Sequence, residues 1–241
     1  MLVSEKGKLI ELPDDIRMGD KYKIYDNVIV IYYAKKRTYS IYTKTEEELH
    51  LEIEELKSEP RFFESGFILA EDSNEENVLY NTELGTVVAT GNFIIGEYSN
   101  PDVCEGNNFR AVVLEFYEKG EYTYRVFDDQ GNEVLDSKYV KNGWKVELLD
   151  FNGLGNMMPL KIRDDSFESR RYGVLHIVFY KDGTSEVIEV IPPEYDRIDL
   201  NCYATIKDCY GNAHYPTYVV KKADKQLRFT ITGKRIRLPK K

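Results

Sequence analysis

Arg110-Ala111-Val112-Val113-Leu114-Glu115-Phe116-Tyr117-Glu118, then Lys119-Gly120, then Glu121-Tyr122-Thr123-Tyr124-Arg125-Val126-Phe127-Asp128 is the stretch that decides the fold class. Aromatic and β-branched residues dominate both arms, and a glycine stands where a two-residue hairpin turn requires positive φ. The stretch therefore predicts a β-hairpin. Two more follow the same logic. Gly173–Tyr180 pairs with Ser185–Ile191 across Lys181-Asp182-Gly183, and Val28–Tyr33 pairs with Thr38–Thr43 through Ala34-Lys35-Lys36-Arg37. The chain holds 19 Tyr and 11 Phe, mostly in short runs punctuated by Gly, Asn, Asp or Lys, so the expected class is all-β.

A recurring unit of strand, polar turn, aromatic-rich strand, second turn and third strand organises these runs. It is readable at Gly66–Thr90, Arg110–Ser137 and 173–200, and more loosely at 203–231. Repeated antiparallel units of three or four strands must stack or circle to bury their faces, which favours a small irregular β-propeller over a β-sandwich or barrel. The second strands end near Tyr42, Tyr80, Phe127, Val190 and Val219, at intervals too uneven for a regular propeller. One domain over 1–241 is expected, closed by a basic hairpin at 221–241. One short helix is expected near 46–57, because Thr45 and Glu48 form a capping box and Leu49, Ile53 and Leu56 fall on one helical face before Pro60.

Two segments resemble the short β repeats named for a Trp-Gly pair, in which a strand, a D-x-x-G turn and a proline-containing stretch recur. They are Phe127-Asp128-Asp129-Gln130-Gly131-Asn132-Glu133-Val134-Leu135 and Ile191-Pro192-Pro193-Glu194-Tyr195-Asp196-Arg197-Ile198. The Trp-Gly pair itself is absent, since Trp144 follows Gly143. The resemblance implies an interaction module without catalytic residues and carries over no site.

Charge narrows the function classes. The formal net charge is -9, yet 221–241 holds nine basic residues and one acid, so this tail carries +8 and the rest of the chain -17. An acidic body suits a partner of something basic rather than a general nucleic-acid binder. Cys104, Cys202 and Cys209 are an odd, unpaired-looking set, no apolar run is long enough for a membrane span, and the first 21 residues lack a signal-peptide pattern. The expected location is cytoplasmic.

Catalytic and metal signatures are sparse. His50, His176 and His214 are the only histidines, and Cys202, Cys209 and His214 supply three ligands at loose spacing, so no metal and no cofactor are expected. Gly153-Leu154-Gly155 lacks the rest of a phosphate loop, and the pairs Asp14-Asp15, Asp128-Asp129 and Asp164-Asp165 read as turn chemistry. The residues expected to meet a partner are the aromatics and arginines between units: Trp144, Tyr139, Tyr172, Arg170, Arg171 and Tyr195. The expectation is a non-enzymatic protein that binds another macromolecule, as an inhibitor, immunity-type or adaptor module, through these residues and an acidic surface. The alternative is a phosphate or nucleic-acid binder using Arg228, Lys234, Arg235 and Arg237 of the basic hairpin. A hydrolase with a carboxylate cleft is the third reading.

Overall fold

The computed structural model describes residues 2–3, 9–25, 27–44, 48–101, 108–135, 140, 144–149, 156–164, 170–201, 205–207, 213–214 and 217–236. Among these there is no helix, so none is long and apolar enough to cross a membrane. A short ribbon pairs β1 (Leu2–Val3) with β2 (Leu9–Ile10). Five small antiparallel sheets follow.

Sheet I runs β3 (Lys21–Tyr25), β4 (Val28–Tyr33), β5 (Thr38–Lys44) and β6 (Leu49–Leu56). Sheet II runs β7 (Arg61–Phe62), β8 (Phe67–Glu71), β9 (Asn77–Asn81) and β10 (Thr86–Gly91). Sheet III has β11 (Phe93–Pro101), β12 (Asn108–Glu118) and β13 (Glu121–Asp128). Sheet IV has β14 (Lys145–Leu148), β15 (Met157–Asp164), β16 (Arg171–Phe179) and β17 (Ser185–Tyr195). Sheet V joins β18 (Arg197–Asn201) to β21 (Thr217–Lys222), β22 (Lys225–Thr230) and β23 (Arg235–Ile236), with the ribbon β19 (Thr205–Lys207) and β20 (Ala213–His214) between β18 and β21 in sequence. In every sheet, each strand pairs with the described strand next to it in the chain, the ribbon aside. All five are meanders.

The three expected hairpins form as β12–β13, β16–β17 and β4–β5. At the first, Lys119 and Gly120 both take positive φ, 51° and 87°, the conformation that matches a two-residue turn to the twist of its strands. The frame of the repeat differs from expectation at two places. The third strand read within Arg110–Ser137 is not among the described strands: after β13 that segment holds only the isolated bridge Phe127↔Glu133 among the described residues, and sheet III takes β11 instead. Arg197–Asn201, read from sequence as the third strand of a unit at 173–200, leaves sheet IV and opens sheet V.

The helix expected near 46–57 does not form. Leu49–Leu56 is strand β6, paired with β5 through two register shifts. Between the pairs Ile41↔Ile53 and Tyr39↔Leu56, β6 spends three residues where β5 spends two, and Glu55 within that step takes φ 59°. This bulge returns Ile53 and Leu56 to the same packed face. The three-residue spacing that resembles a helical turn is thus the spacing of a bulged strand. Thr45, Glu46 and Glu47 of the supposed capping box lie outside the described residues.

The chain divides into two compact units, Met1–Asn92 with Asp129–Gly131, and Phe93–Asp128 with Asn132–Lys241. In the first, Val28, Val30, Ile41 and Leu56 of sheet I pack against Ile68, Ala70 and Tyr80 of sheet II. The opposite face of sheet I buries Ile29, Ile31, Tyr33 and Tyr42 beneath Leu12 and Ile16. Covered on both sides, β4 has to be apolar almost throughout, and Val28-Ile29-Val30-Ile31 is fully enclosed.

In the second unit, Tyr98, Ala111, Val113 and Val126 of sheet III meet Met158, Leu160, Leu175 and Ile177 of sheet IV. Sheet IV turns its other face, with Val174, Ile191 and Tyr195, to Ile198, Tyr218 and Val220 of sheet V. The buried His176 also belongs to that face, its Nε2 lying 2.6 Å from the Tyr218 hydroxyl. Gly173 permits the close β16–β17 approach: a Cβ there would stand 2.7 Å from the Ile191 carbonyl oxygen and 2.8 Å from the Pro193 nitrogen. The register shifts across that step, between Tyr172 and Val174.

Candidate functional site

Strand β3 reads Lys-Tyr-Lys-Ile-Tyr and forms an edge of sheet I. Its period of two sends Lys21, Lys23 and Tyr25 to one face and Tyr22 and Ile24 to the other. Tyr22 and Ile24 remain about half exposed, at 49% and 48%. Beside this strand lies a half-open trough of about 380 Å³. Lys21, Tyr22, Lys23 and Tyr25 form one wall, Val30, Tyr32 and Tyr39 the floor, and Glu59, Pro60 and Phe62 the far side. Register places Lys21, Lys23, Tyr25, Val30, Tyr32 and Tyr39 on one face of sheet I, so the trough opens over that face beside the edge strand.

Register builds the aromatic lining. Lys21 stands opposite Tyr32, and Tyr32 opposite Tyr39, so one row across the sheet carries an ammonium followed by two phenol rings. The rings of Tyr32 and Tyr39 are 4.8 Å apart and tilted by 42°. Tyr25 stacks on Phe62 at the other end, with centroids 3.4 Å apart. Two ring pairs thus bracket the two lysines.

Glu59 acts on the polar groups of the trough. Lys23 Nζ donates a hydrogen bond to the Glu59 carboxylate, and both side chains are more than half exposed. That hydrogen bond, reinforced by the Glu59 charge, raises the Lys23 pKa and keeps the ammonium protonated. Lys21 has no ion-pair partner among the described residues. Burial, with the Glu59 charge added, raises the pKa of the Tyr39 phenol, so it stays neutral near pH 7. Among the described residues, Glu59 is the only carboxylate in the lining. The wall therefore offers fixed cations, hydroxyl groups and ring faces, and no pair of carboxylates to share a proton.

The residues expected from sequence to meet a partner lie elsewhere, in the second unit. Trp144 is 9% exposed and packs in the core between sheets III and IV. Tyr195 is 6% exposed, edge-on to Phe229 with ring centroids 5.8 Å apart. Their ring area is spent on packing. Tyr172 is the register partner of Tyr195 and is half-buried, with Lys161 Nζ 5.3 Å from its ring centroid. Arg171 donates to Asp196 Oδ1 at 2.6 Å, and Asp196 Oδ2 also accepts the Ala223 amide at 2.6 Å. Arg170 is exposed at the start of β16, and Tyr139 lies outside the described residues. The structure brings Arg171, Tyr172 and Tyr195 together on neighbouring strands, where they join sheets IV and V.

In the basic hairpin, β22 pairs with β23 through Arg228↔Ile236 and Phe229↔Arg235. Lys234 and Arg235 are exposed, while Arg228 is half-buried, its Nε without a hydrogen-bond partner among the described residues. Arg237 lies outside the described residues, as do Cys104, Cys202, Cys209, Asp165 and 153–155. Asp128 acts as a turn residue, accepting the Asn132 amide at 2.8 Å and its side-chain nitrogen at 3.0 Å. Asp15 Oδ1 accepts the Tyr33 hydroxyl at 3.2 Å. Among the described residues, no three His, Cys, Asp or Glu side chains are grouped to hold a metal ion.

Sequence reasoning missed the trough residues Lys21, Tyr22, Lys23, Tyr25, Tyr32, Tyr39, Glu59 and Phe62. The alternation in Lys21–Tyr25 was a usable signal, but only the strand order reveals that this strand is an edge. Comparison with known proteins finds no family whose model matches this chain and no matching curated relative.

Proposed function

We propose that this chain is a non-catalytic binding module for another protein, and that the partner is held in the trough along the edge of sheet I. The observation that carries this reading is the combination in one open trough of four tyrosines, a phenylalanine and two lysines. Tyrosine offers large contact area and a hydroxyl at little conformational cost, which is why it is common among residues that dominate interface energies. The charged Lys23 and neutral Tyr39 support recognition rather than proton transfer. An inhibitor, an immunity-type protein and an adaptor all fit such a surface.

The stacking of consecutive meanders, I on II in one unit and III on IV on V in the other, supports a propeller-like succession of blades. The turn at Asp128–Asn132 and the Pro192-Pro193 segment within β17 support kinship with the Trp-Gly repeats. A cytoplasmic location fits the odd cysteine count.

A peptide-display selection against the intact chain tests the binding role. Sequences should enrich, and their binding should fall in Tyr22→Ser, a change at a half-exposed position that leaves the core intact. Failure to enrich any sequence, or equal binding by the variant, would overturn the proposal. The exposed Lys234 and Arg235 favour a second reading, an anion contact through the hairpin, which heparin chromatography tests.

A further inference from the structure

We infer that the free edge of β3, beside the trough, takes an extended acidic segment of a partner protein, added to sheet I as a strand. This rests on the binding role proposed above and names the chemistry of its ligand.

Three observations converge on it. First, β3 ends the strand order of sheet I, and no described strand pairs with its outer side. Its backbone groups on that side are available to another chain, as at any unpaired sheet edge. Second, the trough opens over the face of sheet I next to that edge, with Lys21 and Lys23 of β3 in its lining, so alternate side chains of an added strand would turn to the same face. A five-residue strand is about 17 Å long, enough to register five residues of a partner. Third, the lysines sit two residues apart on one face, the repeat at which an added strand presents its own side chains. Carboxylates at alternate positions of the partner would meet Lys21 and Lys23 in turn. Between or beyond them, an aromatic or branched side chain would lie against the Tyr32–Tyr39 or Tyr25–Phe62 pair.

Charge also argues against a second copy of this chain as the occupant. Edge lysines are a common device against indiscriminate strand pairing. Two β3 edges meeting antiparallel would bring lysine toward lysine, whereas an acidic strand converts the same repulsive feature into selectivity. Glu59 completes the device. Its carboxylate occupies Lys23 in the free protein, so an incoming carboxylate must exchange with it.

The probe is a fluorescein-labelled peptide, Glu-Val-Glu-Tyr-Glu, measured by anisotropy with the full chain at low salt. It is compared with the Gln-Val-Gln-Tyr-Gln form and with a version N-methylated at alternate residues, which cannot donate along one edge. Losing two backbone hydrogen bonds should weaken binding by about tenfold or more. Lys21→Gln with Lys23→Gln should weaken it about three- to tenfold, an effect that shrinks in high salt. Glu59→Gln should tighten it a few fold by freeing Lys23.

Equal binding of the N-methylated peptide would overturn strand addition. Equal binding of the Gln peptide, or weaker binding by Glu59→Gln, would overturn the acidic preference. No binding of the Glu peptide at low salt would overturn the inference as a whole. If display nevertheless enriches neutral or basic peptides that depend on Tyr22, the binding role stands and only its acidic ligand falls.

Discussion

His176 makes the stability of the second unit depend on pH in a window where few other side chains titrate. The imidazole is 2% exposed, lies on the face of sheet IV that meets sheet V, and has the Tyr218 hydroxyl 2.6 Å from Nε2. Burial lowers its pKa from the ordinary 6.5 to about 4. The folded protein therefore keeps the ring neutral while the unfolded chain protonates it below pH 6.5. The stability present above pH 6.5 is lost as pH falls toward 4, because over that range the unfolded state binds the extra proton. A full shift of this size corresponds to roughly 3 kcal/mol, with about 2 kcal/mol already gone at pH 5. Trp144 is the only tryptophan and sits in the same unit, so its fluorescence reports the unfolding. Urea midpoints taken at pH 7.5, 6.5, 5.5 and 5.0 should fall steadily in the parent protein. His176→Gln keeps a polar partner for Tyr218 but cannot titrate, so its midpoints should fall much less. Equal slopes in the two proteins would refute the assignment of the proton to His176.

Three further outcomes are expected. Gly173→Ala should lower stability by about 2 kcal/mol in the same urea assay, because the new methyl group meets the β17 backbone at 2.7–2.9 Å and backbone cannot yield cheaply. Tyr80→Phe should leave stability unchanged or raise it by up to about 1 kcal/mol, since the buried Tyr80 hydroxyl has no hydrogen-bond partner among the described residues; a marked drop in melting temperature would contradict this. Replacing Arg228, Lys234 and Arg235 together by Gln should change the melting temperature modestly, by less in high salt, with no heparin retention in either protein to lose. Retention by the parent that vanishes in the triple variant would favour the anion-binding hairpin instead.

Where the sequence was legible, the determinants were local. The Lys119-Gly120 turn supplies its own positive φ and joins two runs of strand-forming residues, so nothing distant had to be known to read β12 and β13. At Leu49–Leu56 the local pattern was ambiguous, with alternate apolar residues beside a three-residue step. Pairing with β5 resolved it by placing a bulge at Glu54-Glu55, a choice that depends on a neighbouring strand. The candidate site was less legible still, because exposure is a property of layers. Tyr195 and Tyr22 are both tyrosines near strand ends, and nothing adjacent to either separates their fates. Sheet V covers Tyr195, whose ring meets Phe229, while Tyr22 sits on an edge strand and stays about half exposed. Trp144 shows the same effect: a large ring beside a glycine looks like a loop anchor, yet it packs into the core between sheets III and IV. In a chain built from stacked meanders, the most conspicuous aromatics are drawn into the seams between sheets. The proposed binding surface then falls to aromatics that no neighbouring sheet fully covers: Tyr25, Tyr32 and Tyr39 share a face of sheet I with Lys21 and Lys23 beside its edge strand.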